Sequence, residues 1–127
     1  MSNPVEKFFS CVGNGDVTGA LELVHEKGVF EAQGPSSVPI YGTFHGREGV
    51  KRFLTILSEL FDTEAFRFDK WAEMDNYVFA CGYMQHRVKK TGHVFQCEWA
   101  LVCKVENGLI VSYKMFEDTA ALQAAYT

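Results

Sequence analysis

The residues of this chain that could do chemistry are few: one histidine and one glutamate in alternating segments, and four thiols. His86 stands in a long segment of alternating apolar and polar residues. An imidazole turned into an apolar interior can shuttle protons near neutral pH. Glu117 closes a second such segment, and a carboxyl there could complete an acid–base pair with His86. The cysteines, Cys11, Cys81, Cys97 and Cys103, show no CxxC spacing and read as small buried hydrophobes in a reducing compartment. A zinc site drawn from His86, His93 and Cys97 would gather around one hairpin, but it lacks the usual ligand spacing. The expectation is therefore no metal and no cofactor.

Composition narrows the function classes further. The net charge is −4, and the densest basic run, Arg87-Val88-Lys89-Lys90, is too short for a phosphate track. Nucleic acid is not an expected partner. No apolar run reaches the 18 or so residues that span a bilayer, and the N-terminus lacks a basic-then-apolar signal pattern. A cytoplasmic protein with no membrane partner is expected. Aromatic residues reach 14%, with 11 phenylalanines, which is more than a minimal core needs; some rings should line a cavity or an interface.

The 127 residues fit one domain, 1–127, without repeats or low-complexity linkers. Val5, Phe8, Phe9 and Val12 recur at helical spacing after Pro4. Asn14-Gly15-Asp16 breaks that helix, and Asp16 caps a second one expected to run to about Glu26, with Val17, Ala20, Leu21 and Val24 inward. Val29 to Ala32 reads as a short strand before the turn-rich loop 33–39. Gly46 to Phe61 is the longest helix, with Val50, Phe53, Leu54, Leu57 and Phe61 inward and Gly46 as its N-cap. Four strands follow: Thr63–Met74, Tyr77–Val88, His93–Val105 and Leu109–Glu117. Asp75-Asn76, Lys90-Thr91-Gly92 and Asn107-Gly108 turn the chain between them. Asp118-Thr119 then caps a short C-terminal helix. Helices first and a meander of long strands afterwards make an α+β layered fold.

Three segments carry a resemblance. Val29-Phe30-Glu31-Ala32-Gln33-Gly34-Pro35, Tyr41 through Val50, and Phe116-Glu117-Asp118-Thr119-Ala120-Ala121-Leu122 resemble the SnoaL-like proteins of the nuclear transport factor 2-like (ketosteroid isomerase-like) superfamily. The resemblance implies a cone: a curved mixed, largely antiparallel sheet wrapped around three N-terminal helices, with a short C-terminal helix and an apolar pocket at the open end. The superfamily includes isomerases, dehydratases, epoxide hydrolases and polyketide cyclases. By its motif register, the base of a ketosteroid isomerase falls on Ala32, and the two oxyanion donors fall on Phe8 and Leu101. The acid of the cyclases and epoxide hydrolases falls on Met115, and the hydrolase Arg and Asp fall on Tyr83 and Gln85. None of these side chains supplies the ionisable group, so neither steroid isomerase nor epoxide hydrolase activity is expected.

What remains is a set of pocket positions. Strand alternation puts Phe95, Cys97, Trp99, Leu101 and Cys103 on one face, and Val111, Tyr113 and Met115 together on the last strand. Tyr83, Gln85, Trp99, Tyr113 and Met115 are expected around the pocket, with Phe30, Tyr41 and Phe53 on its helix and loop side. A turn one residue shorter would bring Met84 and His86 inward instead of Tyr83 and Gln85. Glu31 should point outward if Phe30 and Ala32 face in.

Two functions survive. One is a non-catalytic module holding a small apolar or aromatic molecule, which the lost acids favour. The other is an isomerase, dehydratase or cyclase using an unusual pair such as His86 and Glu117. An inward carboxyl or histidine with a perturbed pKa would favour chemistry, and an unbroken apolar lining would favour binding. The outer sheet face, with Ala100, Val102, Ile110 and Phe116, is expected to pair with a second copy into a homodimer.

Overall fold

Capping chemistry sets the N-terminal helices. Residues 3–127 are described by the computed structural model. The Oδ1 of Asn3 accepts the Glu6 N–H at 2.9 Å, and Pro4 occupies the first position of helix α1 (Pro4–Gly13), where its missing N–H costs nothing. Asp16 caps α2 (Val17–Glu22) in the same way through the Gly19 N–H, also at 2.9 Å. That second helix ends a turn earlier than its sequence pattern suggests, and Val17 is exposed rather than inward. Strand β1 (Val24–Ala32) takes over instead. The Leu23 carbonyl accepts the Ile110 N–H at 2.8 Å, and the Val24 carbonyl accepts Nε of Arg47 at 2.8 Å. Pairing with the last strand thus claims residues whose spacing alone is also compatible with a helix.

A short edge strand, β2 (Gly42–His45), pairs antiparallel with β1 in a stretch read from sequence as loop. Helix α3 (Gly46–Leu60) follows. Its N-cap is His45 rather than Gly46, and the His45 side chain makes no capping bond. Gly46 supplies the positive φ, 69°, that lets strand turn directly into helix. The meander then runs through β3 (Phe61–Met74), β4 (Tyr77–Val88), β5 (Val94–Glu106) and β6 (Leu109–Phe116), before α4 (Thr119–Tyr126). Asn107 and Gly108 both carry positive φ, 52° and 76°, as a tight hairpin turn requires.

The six strands form one curved, unclosed sheet in the order β2-β1-β6-β5-β4-β3. All neighbours are antiparallel except β1 and β6, which run parallel. This is an α+β cone, with helices against the concave face. Its core includes Val5, Phe8, Val24, Phe30, Val50, Phe95, Leu101 and Ile110, all nearly or fully buried. Phe30 of β1 lies face to face with Tyr113 of β6, ring centroids 4.2 Å apart and planes 2° apart.

Strand register corrects two expectations. In β4 the inward residues are Val78, Ala80, Gly82, Met84, His86 and Val88, so Tyr83 and Gln85 lie on the outer face. The cause is the hairpin: Gly82 faces Trp99, Met84 faces Cys97 and His86 faces Phe95. Directly opposed residues share a face, so inward odd-numbered residues on β5 force inward even-numbered ones on β4. The second correction is Ile110, which is fully buried and not on the outer face. A register shift between Lys104 and Val105 turns the start of β6 over. Glu31 does turn outward, 4.0 Å from Lys114.

Gly82 shows how tightly the wall is built. A Cβ there would collide with the Arg67 carbonyl of β3 and sit 2.8 Å from Cζ2 of Trp99. Only glycine lets β3, with its irregularity between Phe68 and Lys70, press against β4 while the Trp99 indole fills the space beneath.

Candidate functional site

Between α1, α3 and the concave sheet face lies a cavity of about 830 Å³. Its walls are mainly apolar and include Phe9, Phe53, Phe66, Met84, Phe95 and Tyr113. Exposed residues form its mouth: Gly15 of the turn between α1 and α2, Ser58 of α3, Asp62 of β3, and Lys89 in the turn after β4. Lys89 is held at that rim, donating to the Ser58 carbonyl at 2.8 Å with Asp62 3.9 Å away. The volume lies within the range of small-molecule sites.

Two ionisable groups interrupt the apolar lining, His86 on β4 and Glu117 just beyond β6. His86 is buried, stacked on Phe61 with ring centroids 4.5 Å apart, and its Nδ1 lies 3.0 Å from Oγ1 of Thr63. Burial among these rings pulls its pKa down to about 4, so the imidazole is neutral at physiological pH. Among the described residues the one polar side-chain atom sealed off without a partner is Nε1 of Trp99. Among the described residues no hydrogen-bond partner is found for Nε2 of His86, and the ring is part of the cavity wall.

Glu117 accepts a hydrogen bond from the Tyr41 hydroxyl, Oη to Oε2, at 2.8 Å. Desolvation raises the carboxyl pKa, and the Tyr41 bond opposes that rise by favouring the ionised form. Burial, and then the nearby Glu117 charge, hold the Tyr41 phenol well above its ordinary value. Tyr113 is likewise raised, first by burial and then by the charges of Cys103 and Glu117. Desolvation also raises the thiols of Cys97 and Cys103, so neither is a ready nucleophile.

Phe53, Tyr113 and Met115 line the cavity wall. Phe30 is sealed beneath Tyr113, and Tyr41 reaches the site through Glu117. Trp99 stands one layer back, stacked on Phe66 at 5.1 Å. Tyr83 and Gln85 do not reach the cavity: the Tyr83 hydroxyl bonds Gln85 and Gln96, and Gln85 bonds Glu64, all on the outer face. The inward positions two apart on β4 are therefore Met84 and His86. Ala32 and Met115 line the cavity, whereas Phe8 and Leu101 are buried in the core.

Several residues of the site had no local signal. Thr63 is placed by pairing across the hairpin with His86, and Phe61 and Phe66 follow from the same register. Tyr41 and Glu117 are 76 residues apart, and nothing in either segment announces their contact. Among the described residues no three His, Cys, Asp or Glu side chains form a group able to hold a metal. His93 is exposed at the turn, while His86 faces inward. No helix among the described residues is long and apolar enough to cross a membrane.

Comparison with known proteins gives a consistent picture. The model of the SnoaL-like domain matches residues 5–113. An NTF2-like protein from Burkholderia xenovorans superposes with a TM-score of 0.90 at 26% identity, covering 98% of this chain and 93% of that one. A protein with a ketosteroid isomerase-like fold from Catenulispora acidiphila, solved in complex with trimethylamine, gives 0.79 at 13% identity, covering 97% and 91%. A protein with a cystatin-like fold from Xanthomonas campestris gives 0.78 at 16% identity, with 98% of both chains covered. No curated protein matches the chain in sequence.

Proposed function

Because the chain belongs to the SnoaL-like domain family, we propose that its cone holds a small apolar or aromatic molecule and that Glu117 moves a proton on it. One observation carries this reading: a carboxyl, gripped by Tyr41, stands in the wall of an otherwise apolar cavity. Burying a carboxyl costs stability, and a binding module for apolar molecules has no need of one. As a carboxylate with a raised pKa, Glu117 is a stronger base than a solvated glutamate. It can accept a proton from carbon next to a carbonyl and return it at a second carbon. That is an isomerisation, which balances without a co-reactant. Tyr41 orients the carboxyl and, as a phenol held fully protonated, donates without leaving.

A second reading, binding without turnover, draws support from Ala32 and Met115, which line the cavity where the resemblance places ionisable groups. Proton exchange separates the two. Cyclic aryl ketones that raise the melting temperature would be incubated with the protein in deuterated water, and loss of their α-proton signals followed by NMR. Exchange that falls by about 10²-fold or more in Glu117→Gln supports the base. Binding with no exchange supports the module. Exchange at equal rates in both proteins would remove Glu117 from the chemistry.

A further inference from the structure

The cavity has two separate polar stations, and strand register sets the distance between them. His86 faces Phe95 across β4 and β5, while Ala100 faces Phe116 across β5 and β6. One further step in that register puts Glu117 opposite Trp99, four residues along β5 from Phe95. With about 3.3 Å per residue and about 4.8 Å per strand, the two backbones lie on the order of 16 Å apart along the sheet. His86 and Glu117 share no hydrogen bond among the described residues, and each has its own partner, Thr63 for one and Tyr41 for the other.

Each station is also built for a hydrogen bond. At one, Thr63 occupies Nδ1 of His86 and thereby fixes the ring, and no partner for Nε2 is found among the described residues in a ring that lines the cavity. At the other, Tyr41 occupies one carboxylate oxygen of Glu117, Oε2. Between them the lining is aromatic and aliphatic, with Phe66, Met84, Phe95 and Tyr113. No cation in the interior awaits an anionic ligand: the imidazole is neutral, Glu117 is acidic, and at the mouth Lys89 is offset by Asp62.

We infer that the cavity selects an elongated aromatic molecule that carries no anionic group and has a hydrogen-bonding oxygen at each end, one held by the Glu117–Tyr41 pair and the other by Nε2 of His86. This deepens the proposed function and rests on its claim that the cone takes an aromatic ligand. His86 is then a specificity determinant and not part of the proton transfer.

The test uses a graded probe series on the intact protein: biphenyl, its para-monophenol, the diphenol with hydroxyls at both far ends, and the matching dicarboxylate. Affinities are measured by calorimetry for the native protein, His86→Phe and Glu117→Gln. Each end that engages should tighten binding by about 2–13-fold, the value of one hydrogen bond. The diphenol should therefore exceed the monophenol in the native protein, and His86→Phe should abolish that difference between the two. The dicarboxylate should bind more weakly than the diphenol. Equal affinities for biphenyl, monophenol and diphenol would overturn the two-station inference and leave the aromatic site standing. A dicarboxylate that binds as tightly as the diphenol would overturn the claim that anionic ends are rejected. No binding by any of the four would sink the aromatic-ligand reading itself. The comparison among probes in the native protein needs no variant, so a poorly folded His86→Phe does not rescue the inference.

Discussion

His86 makes stability depend on pH in a way that can be worked out from its surroundings. The ring is buried against Phe61 and has no acidic hydrogen-bond partner, so protonating it in place is unfavourable. Its pKa is about 4 in the folded protein, against 6.5 for a free imidazole. The folded value is the lower one, so the unfolded chain binds the proton first as pH falls. Stability is then fully retained above pH 6.5 and declines as pH drops toward 4. A separation of 2.5 units at about 1.36 kcal/mol per unit gives a loss of about 3 kcal/mol across that window. In His86→Phe, which preserves the ring and its stacking, that loss should disappear. Urea denaturation of both proteins at fixed steps between pH 7 and pH 4 isolates the difference, since the other groups titrate alike in each. Glu117 is common to both and acts with the opposite sign. Its raised pKa favours the folded state at low pH, and this contribution is lost as pH rises from about 4.5 through the folded pKa. Parallel stability curves for the two proteins, or an NMR titration of His86 near pH 6.5, would refute the reasoning.

Other outcomes follow from the same geometry. Removing the hydroxyl in Tyr41→Phe takes away the bond that lowers the Glu117 pKa, so the basic form should appear at higher pH; the pH profile of proton exchange reads the shift directly. Gly82→Ala forces a methyl group against the Arg67 carbonyl and the Trp99 ring, and should cost about 1–3 kcal/mol or more by denaturation, with altered tryptophan fluorescence. Tyr83→Phe should leave ligand affinity unchanged, because that hydroxyl bonds Gln85 and Gln96 outside the cone; a weakened ligand would place Tyr83 in the site after all. Ala100, Val102 and the exposed Phe116 on the outer face are proposed to pair with a second copy, and light scattering should then give twice the 14.3 kDa chain mass.

The sequence by itself determined the element types that depend on local chemistry. Asp16 and Asp118 announce helix starts because a short carboxylate can satisfy orphan N–H groups in its own vicinity. Asn107-Gly108 announces a hairpin because few other pairs accept two positive φ angles. The inward face of β5 could be read from alternation alone, since Phe95, Cys97, Trp99, Leu101 and Cys103 fall on every second residue and could hardly all face water. The same logic stops at β4, where both parities offer plausible inward residues. There the face was decided by the hairpin register against β5, which turned His86 in and Tyr83 out. Residues 23–26 show the same limit: a helical pattern gave way because the carbonyls of Leu23 and Val24 are bound by Ile110 and Arg47, both distant in sequence. The Tyr41–Glu117 bond is the furthest case. Its two ends are ordinary loop and strand-end residues, and only assembly of the sheet, with β1 laid parallel against β6, brings them within 2.8 Å and gives the carboxyl its character.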